Sequence, residues 1–199
     1  MHPIAHYRTI TRHRHLVCRY CLRLGLVSQG LTHDLSKYAP EEFWRGARYY
    51  QGTRSPNDME RKATGMSRAW LHHKGRNRHH FEYWVDYVLL PEGGITYAGN
   101  PMPLRYVAEM FCDRIAASRV YLGQDYTDDR PYRYFMEARD DIDGLMHPDT
   151  SRELEIMLTI LKEEGEEAAF AYVRRRLRRD RMERMRKGLW NERVQKQRI

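Results

Sequence analysis

Between about Arg8 and Leu24 apolar residues return every three or four positions, and Gly25 follows where a left-handed residue can close a helix. The spacing predicts a first helix. After the short segment Leu31–Lys37, Pro40 with Glu41 and Glu42 puts proline in a first turn and acids at its positive end, which predicts a second long helix. Asn57 and Glu60 resemble a capping pair ahead of a helix through Met66–His73 that ends near Gly75, and His79–Val88 reads as another. Residues 91–101 form the main loop. Pro103 opens a helix carrying Tyr106 to Tyr121, and 123–149, rich in Asp, Pro and Gly, reads as irregular. A last helix starts near Ser151, acidic at its start and arginine-rich at its end, as the helix dipole favours. Strand-like alternation is nearly absent and no internal repeat is found. The expected fold class is therefore all-α: one helical bundle over 1–149, then from 150 a C-terminal helix with a basic tail from 173.

The composition fits that picture. A chain of 199 residues, 41% hydrophobic and 31% charged, suits one domain with a substantial core plus a tail. No apolar run approaches the ~20 residues that span a bilayer, and the N-terminal stretch lacks the apolar segment of a secretory signal, so a cytoplasmic protein without a membrane partner is expected. Three cysteines are too few for a disulfide scaffold. Cys18 and Cys21 have the spacing of half a zinc knuckle or a redox pair, but no second pair accompanies them, and their helical spacing points to burial. The net charge of +8 is unevenly placed. Residues 173–199 hold 12 Lys and Arg against 3 Asp and Glu, a balance of +9, which leaves 23 against 24, or −1, for 1–172. The tail either packs through Leu177, Met182, Met185 and Leu189 or serves as an arm for nucleic acid or an acidic partner. Charge alone does not choose.

Ten histidines are the most informative feature, because several cluster: His13 with His15, His33 beside Asp34, His72-His73 and His79-His80. A metal site on helices needs imidazoles and carboxylates converging from buried faces. At about 100° per residue, His13 shares a face with Val17, Tyr20, Cys21 and Leu24, whereas His15 projects with Arg8, Arg12, Arg19 and Arg23. His73 aligns with Met66, Ala69 and Trp70, and His72 falls to the flank. His80 lines up with Trp84, Tyr87 and Val88, so it is preferred to His79 as a ligand. Asp113 lies beside Tyr106, Met110 and Ala117 at the edge of an apolar stripe, where a carboxylate needs a partner. Each residue alone has an ordinary reading as a hydrogen-bonded core group or a helix cap. Their convergence favours a metal centre.

The order His13, His33-Asp34 and a late helical Asp113 resembles the HD-domain superfamily of metal-dependent phosphohydrolases over about residues 8–122. More closely, HDLSKYAPEEF, AWLHHKGRNRHHFEYW and AEMFCD resemble an uncharacterised HD-like family of bacterial and phage proteins. The resemblance implies that His13, His33, Asp34 and Asp113 hold one ion and that the histidines of the HHKGRNRHH segment, His73 and His80 foremost, are the extra ligands of dinuclear members. Lys37 resembles the lysine that follows the His-Asp pair in several phosphodiesterases. His73 and His80 stand closer together than in dinuclear relatives, and no Gly-Tyr-Pro signature follows them.

The residues suit that chemistry in their own right. Imidazoles and carboxylates form a nitrogen and oxygen shell for a divalent transition metal (Mn, Fe, Co, Ni or Zn), with one ion expected and room for a second. Such an ion activates water and polarises a phosphoryl oxygen. Asp34 and Lys37 are the expected catalytic residues, Asp34 as a metal ligand that also orients water and Lys37 as a point charge on a phosphate oxygen. Lys37, His79, Arg76 and Arg78 are expected to contact a phosphate-containing substrate, a nucleotide or another phosphate ester. Two readings compete with this hydrolase: an HD-fold di-iron oxygenase, and a nucleic-acid-binding adaptor that uses the tail.

Overall fold

The computed structural model describes residues 1–142 and 144–188. Helix α1 (Pro3–Leu24) has proline in its first turn and buries a stripe of His6, Ile10, His13, Val17, Tyr20, Cys21 and Leu24. Gly25, at φ 77°, ends it by donating its N–H to the Cys21 and Leu22 carbonyls. The short α2 (Val27–Thr32) lies close against α1, because a Cβ on Gly30 would meet the Cys21 Cβ at 3.0 Å. A 3-10 turn over Leu35–Tyr38 leads into α3 (Pro40–Tyr49).

The single long helix expected through Met66–His73 is two. In α4 (Pro56–Thr64) the N-cap is Ser55, not Asn57, and Gly65 at φ 79° stops the helix. A new one, α5 (Arg68–Lys74), starts on Ser67, whose hydroxyl accepts from the Trp70 N–H at 3.0 Å. Glu60 joins the two, accepting from the Ser67 hydroxyl at 2.6 Å and the Ala69 N–H at 3.3 Å.

The all-α expectation is corrected at one place. His79–Val88 is not a helix: a 3-10 turn over Phe81–Trp84 feeds β1 (Val85–Leu89), which pairs antiparallel with β2 (Ile95–Gly99) in the register Val85–Gly99, Tyr87–Tyr97 and Leu89–Ile95. Valine, tyrosine, isoleucine and threonine suit a pleated ribbon, and Gly93 and Gly94 at φ 92° and 96° reverse it. The fold is thus mostly helical with one two-stranded hairpin.

Helix α6 (Leu104–Leu122) is the central element, buried at Val107, Ala108, Phe111, Cys112, Ile115 and Ala116 and packed on α1. The stretch expected to be irregular holds α7 (Arg130–Glu137) and the single turn α8 (Arg139–Ile142). Last comes α9 (Pro148–Arg186), interrupted at Gly165 with φ 86° and ψ 177°. The interruption reverses the chain. In a straight helix Glu153 and Arg176 would stand about 34 Å apart, yet they form an ion pair. Both arms reach one core, with Leu154, Met157, Leu158 and Leu161 from the first and Ala169, Phe170 and Val173 from the second joining Val17, Phe111 and Ile115. The C-terminal segment from 150 therefore helps build the bundle. In the tail, Leu177 packs against the core while Met182 and Met185 are exposed; Leu189 lies outside the described residues. No helix among the described residues is long and apolar enough to cross a membrane. The cysteines are free, Cys21 and Cys112 buried and Cys18 half-buried.

Candidate metal centre

Three features place the first ligands. The buried stripe of α1 carries His13 inward, while His15 is exposed. Arg14 on the same helix holds the next ligand's backbone, its Nε donating to the His33 carbonyl at 2.7 Å. Asp34 then takes up φ 53°, the one non-glycine residue with positive φ among those described. That left-handed step costs most residues about 1 kcal/mol or more and is easiest for Asn and Asp. It turns the carboxylate into the bundle, where both His33 and Asp34 are at most 2% exposed.

Asp34 stands between two groups of ligands. Its Oδ2 lies 3.6 Å from His13 Nε2 and 3.4 Å from His33 Nε2, with Asp113 Oδ1 3.0 Å from the same His13 nitrogen. Its Oδ1 lies 3.2 Å from His73 Nε2 and 3.4 Å from His79 Nε2, and His80 Nε2 is 2.9 Å from His73 Nε2. Two sets able to hold an ion share this carboxylate: His13, His33, Asp34 and Asp113, and Asp34, His73, His79 and His80.

A second layer fixes the imidazoles. Glu109 Oε1 accepts from His33 Nδ1 at 2.9 Å and lies 3.2 Å from His79 Nδ1. Glu42 accepts from His73 Nδ1 at 2.8 Å and from His72 Nδ1 at 2.6 Å. Because the Nδ1 atoms of His33, His73 and His79 face carboxylates, the Nε2 of each is left to turn toward Asp34 as a donor to an ion. Glu109, His33 and His79 also converge on one point, but through the Nδ1 atoms that Glu109 already engages, so this trio supports the two sites.

The electrostatics fit a cation between the rings. Burial would lower the His33 pKa, yet Asp34, Asp113 and Glu109 outweigh it and push it up to about 10. Burial would raise Asp34 and Asp113, but the surrounding imidazoles, with Lys37 for Asp34, hold both well below the usual carboxylate range. His80 is pushed well down by burial and by His79 and His73, which keeps its ring neutral and able to ligate. Both Asp34 oxygens and His79 Nε2 are buried without a hydrogen bond. Lys37 Nζ approaches Oδ2 at 2.7 Å as an ion pair, outside hydrogen-bond geometry. Buried lone pairs aimed at one another are costly unless a cation lies among them. The donor set fits a metal.

The structure brings His13, His33, Asp34, Asp113, His73 and His80 together and adds His79, which the sequence reading kept for substrate. The preference for His80 over His79 assumed a helix. In the turn that exists, His79 is 1% exposed and faces both carboxylates, while His80 is half-buried against Trp70 at 4.6 Å between ring centroids. Arg76 donates to the His72 carbonyl, and Arg78 donates to the Tyr106 hydroxyl and lies over the Tyr83 ring. Glu42 and Glu109 were missed. Glu109 stands four residues before Asp113 on α6, so the face test that found Asp113 also reaches it; Glu42 was read only as a first-turn acid.

A helical bundle enclosing a buried histidine and carboxylate centre is the class that fold and site define. The model of the family of unknown function DUF5662 matches residues 2–160, and the chain belongs to that family. The matched span contains every candidate ligand and ends inside α9. No curated protein and no solved structure matches the chain.

Proposed function

We propose that the protein is a metal-dependent phosphohydrolase of HD type, acting on a nucleotide or another phosphate ester. The observation that carries this reading is Asp34, one carboxylate serving two buried sets of imidazole ligands. His13, His33, Asp34 and Asp113 would hold one divalent transition metal, and His73, His79 and His80 with Asp34 a second. Ions held there supply Lewis acid for a phosphoryl oxygen and bring the pKa of water toward ~7. Hydrolysis adds the water oxygen to phosphorus, breaks the phosphorus–ester oxygen bond and passes the water proton to the departing alcohol. The chain's own residues prepare that step. Glu42 and Glu109 hold the imidazole tautomers, Asp34 and Asp113 orient water, and Lys37, partly exposed beside Asp34, offers an ammonium to a phosphate oxygen.

The test is metal analysis of the purified protein followed by phosphate release from nucleoside phosphates and phosphodiesters, with each of the five metals supplied. Stoichiometric metal and turnover, both lost in Asp34→Asn, are expected. Lys37→Ala should cut turnover and keep the metal. A protein that binds no metal overturns the reading. The paired ligand sets also suit two irons, so an iron-loaded protein that consumes oxygen and releases no phosphate would move the assignment to an oxygenase.

A further inference from the structure

The arginines of α1 that face away from the metal centre line a groove of about 750 Å³ between α1 and the end of α6. Its walls are Tyr7, Arg8, Thr11, Arg12, His15, Leu16 and Arg19 from α1, with Arg119, Gly123 and Tyr126 opposite. Four arginines and a histidine stand there, and none of the lining residues is acidic. Glu166 pairs with Arg119 at 2.8 Å, and Arg119 lies over the Tyr126 ring at 4.4 Å. Arg8, Arg12 and Arg19 are exposed and enter no ion pair among the described residues. The near-zero balance of residues 1–172 thus conceals a local surplus, and a cleft lined by one sign of charge concentrates counter-ions of the other.

The shape of the surplus narrows the ligand. Positions 8, 12 and 19 follow one face of α1 and span about 16 Å at 1.5 Å per residue, a line rather than a cluster. A lone phosphate or a triphosphate chain would engage only part of it. The groove is concave, so a flat layer of headgroups would meet its rims. Tyr7, about half exposed, offers a ring beside the cations, the pairing of backbone charge and stacking surface that single strands use, whereas Tyr126 packs against the core beneath Arg119 and only walls the groove.

We propose that this groove binds the phosphodiester backbone of single-stranded nucleic acid through Arg8, Arg12 and Arg19, with Tyr7 against the bases and Arg119, held by Glu166, forming the opposite wall. His13 lies about 160° around α1 from His15, so the bound strand runs behind the metal centre and is not its substrate. The inference does not rest on the hydrolase reading.

The experiment is fluorescence anisotropy with the full chain and labelled 12-nucleotide oligo-dT and oligo-U, against a duplex of equal length, at several salt concentrations. The combined variant Arg8→Ala, Arg12→Ala, Arg19→Ala should bind at least tenfold more weakly. Its salt slope should be shallower by about 2, since each phosphate contact contributes about 0.7 on single strands. Its melting temperature should stay unchanged, because all three side chains are exposed. A tail variant, Arg174→Ala, Arg175→Ala, Arg178→Ala, should bind within threefold of the parent. Four results overturn the proposal: no binding of either strand, unchanged binding by the α1 variant, duplex binding as tight as single strand, or displacement of the strand by tripolyphosphate at equal charge concentration.

Discussion

At the scale of single residues, the two glutamates behind the imidazoles give the sharpest expectations. Glu109 faces the Nδ1 atoms of His33 and His79, one ligand from each set. Glu109→Gln should weaken metal binding by roughly 10–100-fold with little change in fold, measured by competition with a chromogenic chelator. His33 sets a pH dependence. Its pKa is raised in the fold, so its contribution is fully present below the unfolded value of about 6.5 and is lost as pH climbs through about 10. Chelator-treated protein should therefore melt at falling temperatures across that window. Metal-loaded protein should not follow it, because an ion takes the place of the Nε2 proton, and identical profiles would count against the ion. Asp34 and Asp113 act at the other edge. Their depressed pKa values stabilise the fold above about pH 4, and this is lost only as pH falls through the lower folded values. His13, His73 and Asp113 were legible in the sequence because identity and helical phase agree, and His33 with Asp34 because the pair stands adjacent, outside any helix. His79 was not, since its direction comes from a turn whose geometry no periodicity records.

Among the elements, the glycine that ends α1 and the proline that opens α3 were legible, whereas α1 starts at Pro3, ahead of the apolar spacing that marked it from about Arg8. The hairpin was hidden because its strands are short and largely exposed, so no alternation of buried and open positions marks them. The break in α9 was hidden for another reason. Gly165 sits among helix-favouring residues, Glu163, Glu164, Glu166 and Glu167, and nothing local says whether a glycine there is tolerated or used. The structure uses it, at a φ and ψ that other residues rarely enter. Gly165→Ala should cost about 1–3 kcal/mol and lower the melting temperature by several degrees in calorimetry. An unchanged midpoint would mean that the turn does not need glycine.

For the whole molecule, the turn at Gly165 makes the C-terminal arm part of the core. Phe170 meets Tyr20 at 5.4 Å and Phe111 at 5.6 Å between ring centroids. Ending the chain at Glu164 should leave an aggregation-prone protein, since the loss of a buried phenylalanine alone costs about 3–5 kcal/mol. The reversal also sets an order of events during synthesis. Tyr20 waits for a partner 150 residues further on, so a chain still growing on the ribosome carries an open apolar seam along α1 and α6 until the second arm of α9 emerges. The metal ligands, all within the first 113 residues, are made well before that seam can close.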